Sequence, residues 1–222
     1  MHKFGEINNT SEIIKTDAGE VKSTFDTDIT CDEAKSFWDK VFNEPREVSI
    51  SDILNYDEDE FEFDIDITDM SELLGKFDKD NWDEQTDAEK NELVEELTEK
   101  ISEKLRLHEI PEVVYFEDDP SLQGVYYEGF NMLGINNCLR DNPKELVNTI
   151  AHELRHAYQK QCADSPQNYE EMLYKVNWQN YISPVFNENG ELLLYTDYFS
   201  QYIEAEARAF ANIFGSERQA VV

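Results

Sequence analysis

The chain is short of cations. Its 222 residues carry 19 Lys+Arg against 50 Asp+Glu, a formal net charge of −31. A nucleic-acid backbone binder needs a basic face, and an anionic membrane attracts cationic segments, so this balance weighs against both as partners. Cysteine is scarce too. Cys31, Cys138 and Cys162 are too few and too scattered for a disulfide framework, and an odd count points to reduced thiols. No run approaches the ~18–20 consecutive apolar residues of a membrane span. Met1-His2-Lys3-Phe4-Gly5-Glu6 lacks the apolar core of a secretory signal. The expected localisation is therefore cytoplasmic; a secreted effector would share the chemistry derived below.

What is present belongs to a folded protein. Apolar residues make up 40% of the chain and aromatics 12%, above the level of a disordered acidic polymer. The length suits one domain, or a domain with an extension. The acid is unevenly spread: residues 1–110 hold 33 of the acids and 12 of the bases. The second half is closer to an ordinary domain.

Residues 1–67 read as an acidic N-terminal extension. Residues 1–29 are polar and aperiodic, as in an arm. Thr30-Cys31-Asp32-Glu33 has capping-box form, and Ala34, Phe37, Trp38, Val41 and Phe42 make one apolar stripe, which predicts a helix near 31–43. Phe61, Phe63, Ile65 and Ile67 alternate with Glu62, Asp64 and Asp66, which predicts a strand near 61–67 with an acidic outer face.

Residues 68–222 read as the main domain. Asp78, Asp80, Thr86 and Glu89 have calcium-loop spacing, but Asp83 stands where the loop requires glycine. Thr86-Asp87-Ala88-Glu89 is better explained as a capping box. It opens a helix with Leu93, Val94, Leu97, Ile101 and Leu105 on one side, ending near Leu107. Val113–Phe116, Gly124–Tyr127 and Met132–Asn136 read as short strands, with a turn at Asp118-Asp119-Pro120. Their short connections favour antiparallel neighbours. Asn142-Pro143-Lys144-Glu145 signals a helix start, with Val147, Ile150, Ala151, Leu154 and Tyr158 on its buried face.

That helix contains His152-Glu153-Leu154-Arg155-His156. Residues i and i+4 project from one face, ~6 Å apart at Cβ, so two imidazoles can reach one Zn²⁺. Glu153, beside the first histidine, can take a proton from metal-activated water and pass it to a leaving amine. A catalytic zinc needs a third protein ligand. His2 and His108 lie upstream, and Cys162 sits on or just after the same helix. Gln201–Ala211 is the better source, an alanine-rich helix closing near Gly215 that could approach another helix closely. Glu204 and Glu206 both lie on it, ~200° apart, so only one can face a metal.

His152-Glu153-x-x-His156 followed by Glu204-x-Glu206-Ala207-x-x-Phe210-Ala211 resembles the gluzincin class of zinc metallopeptidases, most closely its compact bacterial and phage members. The resemblance covers roughly residues 90–215. It implies an α+β, zincin-like domain. In that fold a short, mostly antiparallel sheet packs on an active-site helix and a glutamate-bearing helix. It implies one Zn²⁺ per chain held by His152, His156 and Glu204, with Glu153 as general base. It also implies that the strand around Met132–Asn136 holds an extended peptide by edge pairing. The chain departs from the class in two ways. Tyr202 stands where many relatives have proline. Arg208 stands where some carry an acid, one turn from Glu204, placed to pair with it or with Glu206. Tyr158, Tyr195, Tyr198 and Tyr202 are candidates to stabilise the oxyanion.

The expected function is zinc-dependent hydrolysis of peptide bonds. The partner would be a peptide or protein substrate, favouring a basic one if the charge steers encounter. The alternative is an acidic interaction or decoy protein that binds a basic partner on a zincin scaffold.

Overall fold

The computed structural model describes residues 48–117, 122–185 and 195–215, together with a two-residue antiparallel ladder of β1 (Lys15–Thr16) and β2 (Gly19–Glu20). The chain divides into two units, Met1–Glu44 and Pro45–Val222. The helix expected near 31–43, the turn at Asp118–Pro120 and, apart from the ladder, the arm over 1–29 lie outside the described residues. Residues 48–67 belong to the same unit as the helices and sheet that follow.

That second unit is α+β. Among the described residues it has seven α-helices and one three-stranded sheet. The strands are β3 (Glu112–Phe116), β4 (Gly124–Tyr127) and β5 (Met132–Asn136), in the order β3-β5-β4. β4 runs antiparallel to β5, but β3 runs parallel to it, with Val113 opposite Leu133 and Tyr115 opposite Ile135. The expectation of mostly antiparallel neighbours is therefore corrected: the sheet is mixed. A parallel pair needs a crossover of a dozen or so residues. Here the chain forms β4 at the far edge before it returns as β5, so the connection from β3 to β5 runs by way of that strand. The turn back ends at Asn131, whose φ of 49° lies in the left-handed region. Its carbonyl accepts the Glu112 N–H at 3.0 Å, which pins the start of β3.

The central place of β5 has a functional consequence. Both its edges are already paired, so an extended peptide cannot add to the Met132–Asn136 strand, and that expectation is corrected as well. Among the described residues, only β3 and β4 of this sheet keep an outer edge.

Residues 61–67 alternate in burial as their sequence does, with Phe61, Phe63, Ile65 and Ile67 half-buried and the acids between them exposed. They are nevertheless not a strand, because among the described residues no neighbouring strand pairs with them. Period two reports an extended backbone with one covered side, and here the cover is core side chains rather than a ladder. Phe63, Ile65 and Ile67 pack against the main core, and Phe61 against a second cluster around Ile53, Tyr174 and Tyr202.

The helices follow their sequence signals closely. After α1 (Ser71–Gly75) and α2 (Lys79–Asp83), α3 (Asp87–Leu105) starts at a capping box. Glu89 Oε2 accepts the Thr86 N–H at 2.8 Å, and Thr86 Oγ1 accepts the Glu89 N–H at 3.3 Å. The acids with calcium-loop spacing are thus spread over α2 and this cap. Leu93, Val94, Leu97, Ile101 and Leu105 are buried, and left-handed Arg106 ends the helix. Asn142 occupies the cap position of α4 (Pro143–Asp164) without a side-chain cap bond, and Pro143 opens the helix. α5 (Tyr169–Gln179), α6 (Tyr195–Phe199) and α7 (Tyr202–Gly215) complete the unit. No helix among the described residues is long and apolar enough to cross a membrane.

α4 and α7 form the most extensive packing of any two elements. Ala205, Ala207 and Ala211 of α7 are fully buried, as is Ala151 of α4. A buried ion pair links the two helices. Arg155 Nε reaches both carboxylate oxygens of Glu206 at 3.0 Å, and an Arg155 terminal nitrogen closes a second contact to Oε1. The guanidinium lies over the rings of Tyr158, Phe63 and Phe210 at 4.4, 5.0 and 5.2 Å from their centroids. Burial alone would lower the guanidinium pKa, but Glu206 outweighs it and raises it, so Arg155 stays charged. Removing one partner of such a pair leaves a buried charge uncompensated. Glu206→Ala should lower unfolding free energy by about 3–5 kcal/mol in guanidinium titrations. The joint change Arg155→Met with Glu206→Leu should cost clearly less. Equal losses would contradict the isolation of this pair from water.

Candidate metal centre

His152 and His156 project from α4, and Glu204 from the first turn of α7. One donor atom from each lies within 4.8 Å of the other two. His152 Nε2 and His156 Nε2 are 3.0 Å apart, His152 Nε2 is 3.4 Å from Glu204 Oε2, and His156 Nε2 is 3.5 Å from Glu204 Oε1. Ligands about 2.05 Å from a tetrahedral zinc would be separated by about 3.3 Å. The three observed separations bracket that value.

The surroundings also fit a cation. Glu204 is 1% exposed, and its Oε2 has no hydrogen-bond partner. A buried carboxylate oxygen without a partner is costly unless a positive charge stands beside it. Two ring nitrogens 3.0 Å apart can share only one proton between them, which also suits a common electron-pair acceptor. The donor set of two imidazoles and one carboxylate suits a catalytic zinc. Burial would raise the Glu204 carboxyl, but the imidazoles of His156 and His152 hold it well below the usual carboxylate range.

Glu206, the other acid on α7, is fully buried but committed elsewhere. Besides Arg155 it accepts the Tyr174 O–H at 2.8 Å and a donor from Gln159. Arg208, expected near Glu204 or Glu206, reaches neither. It donates to the Phe199 carbonyl at 2.6 Å and lies 3.6 Å from Glu58.

Glu153 follows His152 but turns ~100° away around the helix. Its Oε2 accepts the Tyr126 N–H of β4 at 2.9 Å. β4 is pressed closely onto α4 at this point. A Cβ on Gly124 would stand 2.5 Å from Thr149 Cγ2 and 3.0 Å from Glu153 Cγ. Glycine here lets the edge strand hold the carboxylate in place.

The tyrosines sort themselves by position. Tyr158 packs over Arg155, and Tyr202 is buried in the second cluster. The side chain of Tyr195 lies outside the described residues. Tyr198 sits against the site: burial, then Glu204 and Glu153, raises its pKa, so its hydroxyl keeps its proton. Tyr181 donates to Glu204 Oε1 at 2.7 Å and stacks on Trp178, which meets the edge of His156. The sequence reading did not select Tyr181. It lies in the 47 residues between His156 and Glu204, and no periodicity marks it.

His156 titrates above the ordinary imidazole range. Burial would lower its pKa, but Glu204 outweighs that, and with smaller effects from Glu153 and Gln159 it is pushed up to about 9. Below about 9 the metal-free ring carries a proton that must leave when an ion binds. Zinc uptake near neutral pH should release about one proton from this ring, measured by calorimetry in buffers of different ionisation enthalpy. Affinity should fall as pH drops; a flat profile would contradict His156 as a ligand. No family model matches the chain, and neither does any curated protein or solved structure.

Proposed function

We propose that the chain is a zinc-dependent metallopeptidase with a zincin-like domain and one Zn²⁺ held by His152, His156 and Glu204. One observation carries this reading: three donor atoms from two helices converge at 3.0–3.5 Å. When bound, zinc supplies Lewis acidity, polarising a carbonyl and making water a nucleophile near neutral pH.

The chain's own residues do the rest. Glu153 is anchored through Oε2 by the Tyr126 N–H, which leaves Oε1 to accept a proton from the attacking water and return it to the leaving amine. Tyr198, protonated and close enough to sense Glu204 and Glu153, donates to the oxygen on which negative charge develops. Tyr181 holds Glu204 through Oε1.

The test separates metal binding from chemistry. Purified wild-type protein should take up about one zinc per chain and cleave a labelled unfolded polypeptide. Glu153→Gln should retain the zinc and lose about a hundred- to ten-thousand-fold in kcat. Absence of zinc uptake, or undiminished cleavage by Glu153→Gln, would refute the reading.

A further inference from the structure

Gln159 is fully buried on α4, one turn after His156. Its amide bridges the two site-forming helices. Nε2 donates to the Ile203 carbonyl at 2.9 Å and to Glu206 Oε2, while Oε1 faces His156 Nδ1 at 2.8 Å.

The direction of each bond is determined. A peptide carbonyl cannot donate, and both Glu206 oxygens already accept from Arg155. The end of the amide facing α7 must therefore be its NH₂ group, and the end facing His156 its oxygen. An amide oxygen can only accept, so the proton of this contact sits on His156 Nδ1. When the ring is neutral, its electron pair is then on Nε2, the atom turned toward His152 and Glu204.

We propose that Gln159 is a positioning residue that fixes the ring and tautomer of His156 for metal binding, and that the Arg155–Glu206 pair fixes Gln159 in turn. Order passes from guanidinium to carboxylate to amide to imidazole, each step leaving the next group one orientation. The proposal rests on the metal-site reading above, but its test does not depend on that reading alone.

The experiment records imidazole ¹⁵N–¹H spectra at a pH high enough that the metal-free ring is neutral, and zinc affinity at neutral pH, for wild type, Gln159→Met and Gln159→Glu. Methionine has similar volume and no comparable acceptor; glutamate keeps an acceptor toward His156. In metal-free wild type, His156 should show an Nδ1–H that exchanges slowly with solvent. Gln159→Met should lose that protected proton and bind zinc about ten- to a hundred-fold more weakly. Gln159→Glu should keep the protected proton and bind zinc more tightly than Gln159→Met. Side-chain loss in a purely structural role would not follow this split. A protected Nδ1–H in Gln159→Met, or its absence in wild type, overturns the proposal. If Gln159→Met does not fold, loss of the proton in Gln159→Glu does the same. If wild type takes up no zinc, the metallopeptidase reading fails, and the Nδ1 proton still decides the role of Gln159.

Discussion

The contact between Arg155 and Glu206 sets the register of the whole site. α4 contributes Arg155 between the two histidines, and α7 contributes Glu206 two residues after Glu204. Holding the guanidinium against the carboxylate fixes the rotation and depth of α7 on α4. Glu204, on the other side of α7, then has one direction in which to point. The pair is screened from water by Phe63, Tyr158 and Phe210, so it acts in a low-dielectric setting where misplacing either charge is expensive. Burial of ions is a poor source of net stability; what this pair supplies is a fixed geometry between α4 and α7.

The acidity of the chain takes on a more local meaning in this light. Glu153, Glu204 and Glu206 are all buried, and each has a defined partner group: a backbone N–H, a tyrosine with two imidazoles, and an arginine. The exposed acids of 57–69 instead line the outer face of a segment whose inner face is aromatic and aliphatic. Charge and chemistry are thus carried by different carboxylates, sorted by burial.

Much of this was legible in the sequence where the signal is local. The i, i+4 histidines, the Thr86 capping box and the apolar stripes of α3 and α4 depend on neighbours within a turn or two, and the structure has them. The choice between Glu204 and Glu206 is not local. Both are buried, so the pattern of apolar and polar residues cannot rank them; only the position of Arg155, 51 residues before Glu206, separates their surroundings. The same holds for the sheet. Alternation in 61–67 reported a covered face but not what covers it. The short connections between strands did not reveal that β5 would lie between β3 and β4. Gln159 and Tyr181 carry no periodic or motif signal, because their importance lies in what they touch across the helix pair.

The distance along the chain between the donors has a consequence for how the protein reaches its native state. The two histidines are neighbours in any nascent helix, but Glu204 arrives only when 47 intervening residues have closed a loop. An unfolded chain therefore offers an ion a two-toothed grip, and the folded chain a three-toothed one. Any metal that prefers the complete set binds the folded form preferentially, drawing the equilibrium toward it by mass action. The ion would be a late-acting clamp on that loop closure, joining the fold after the helices have met rather than organising their meeting.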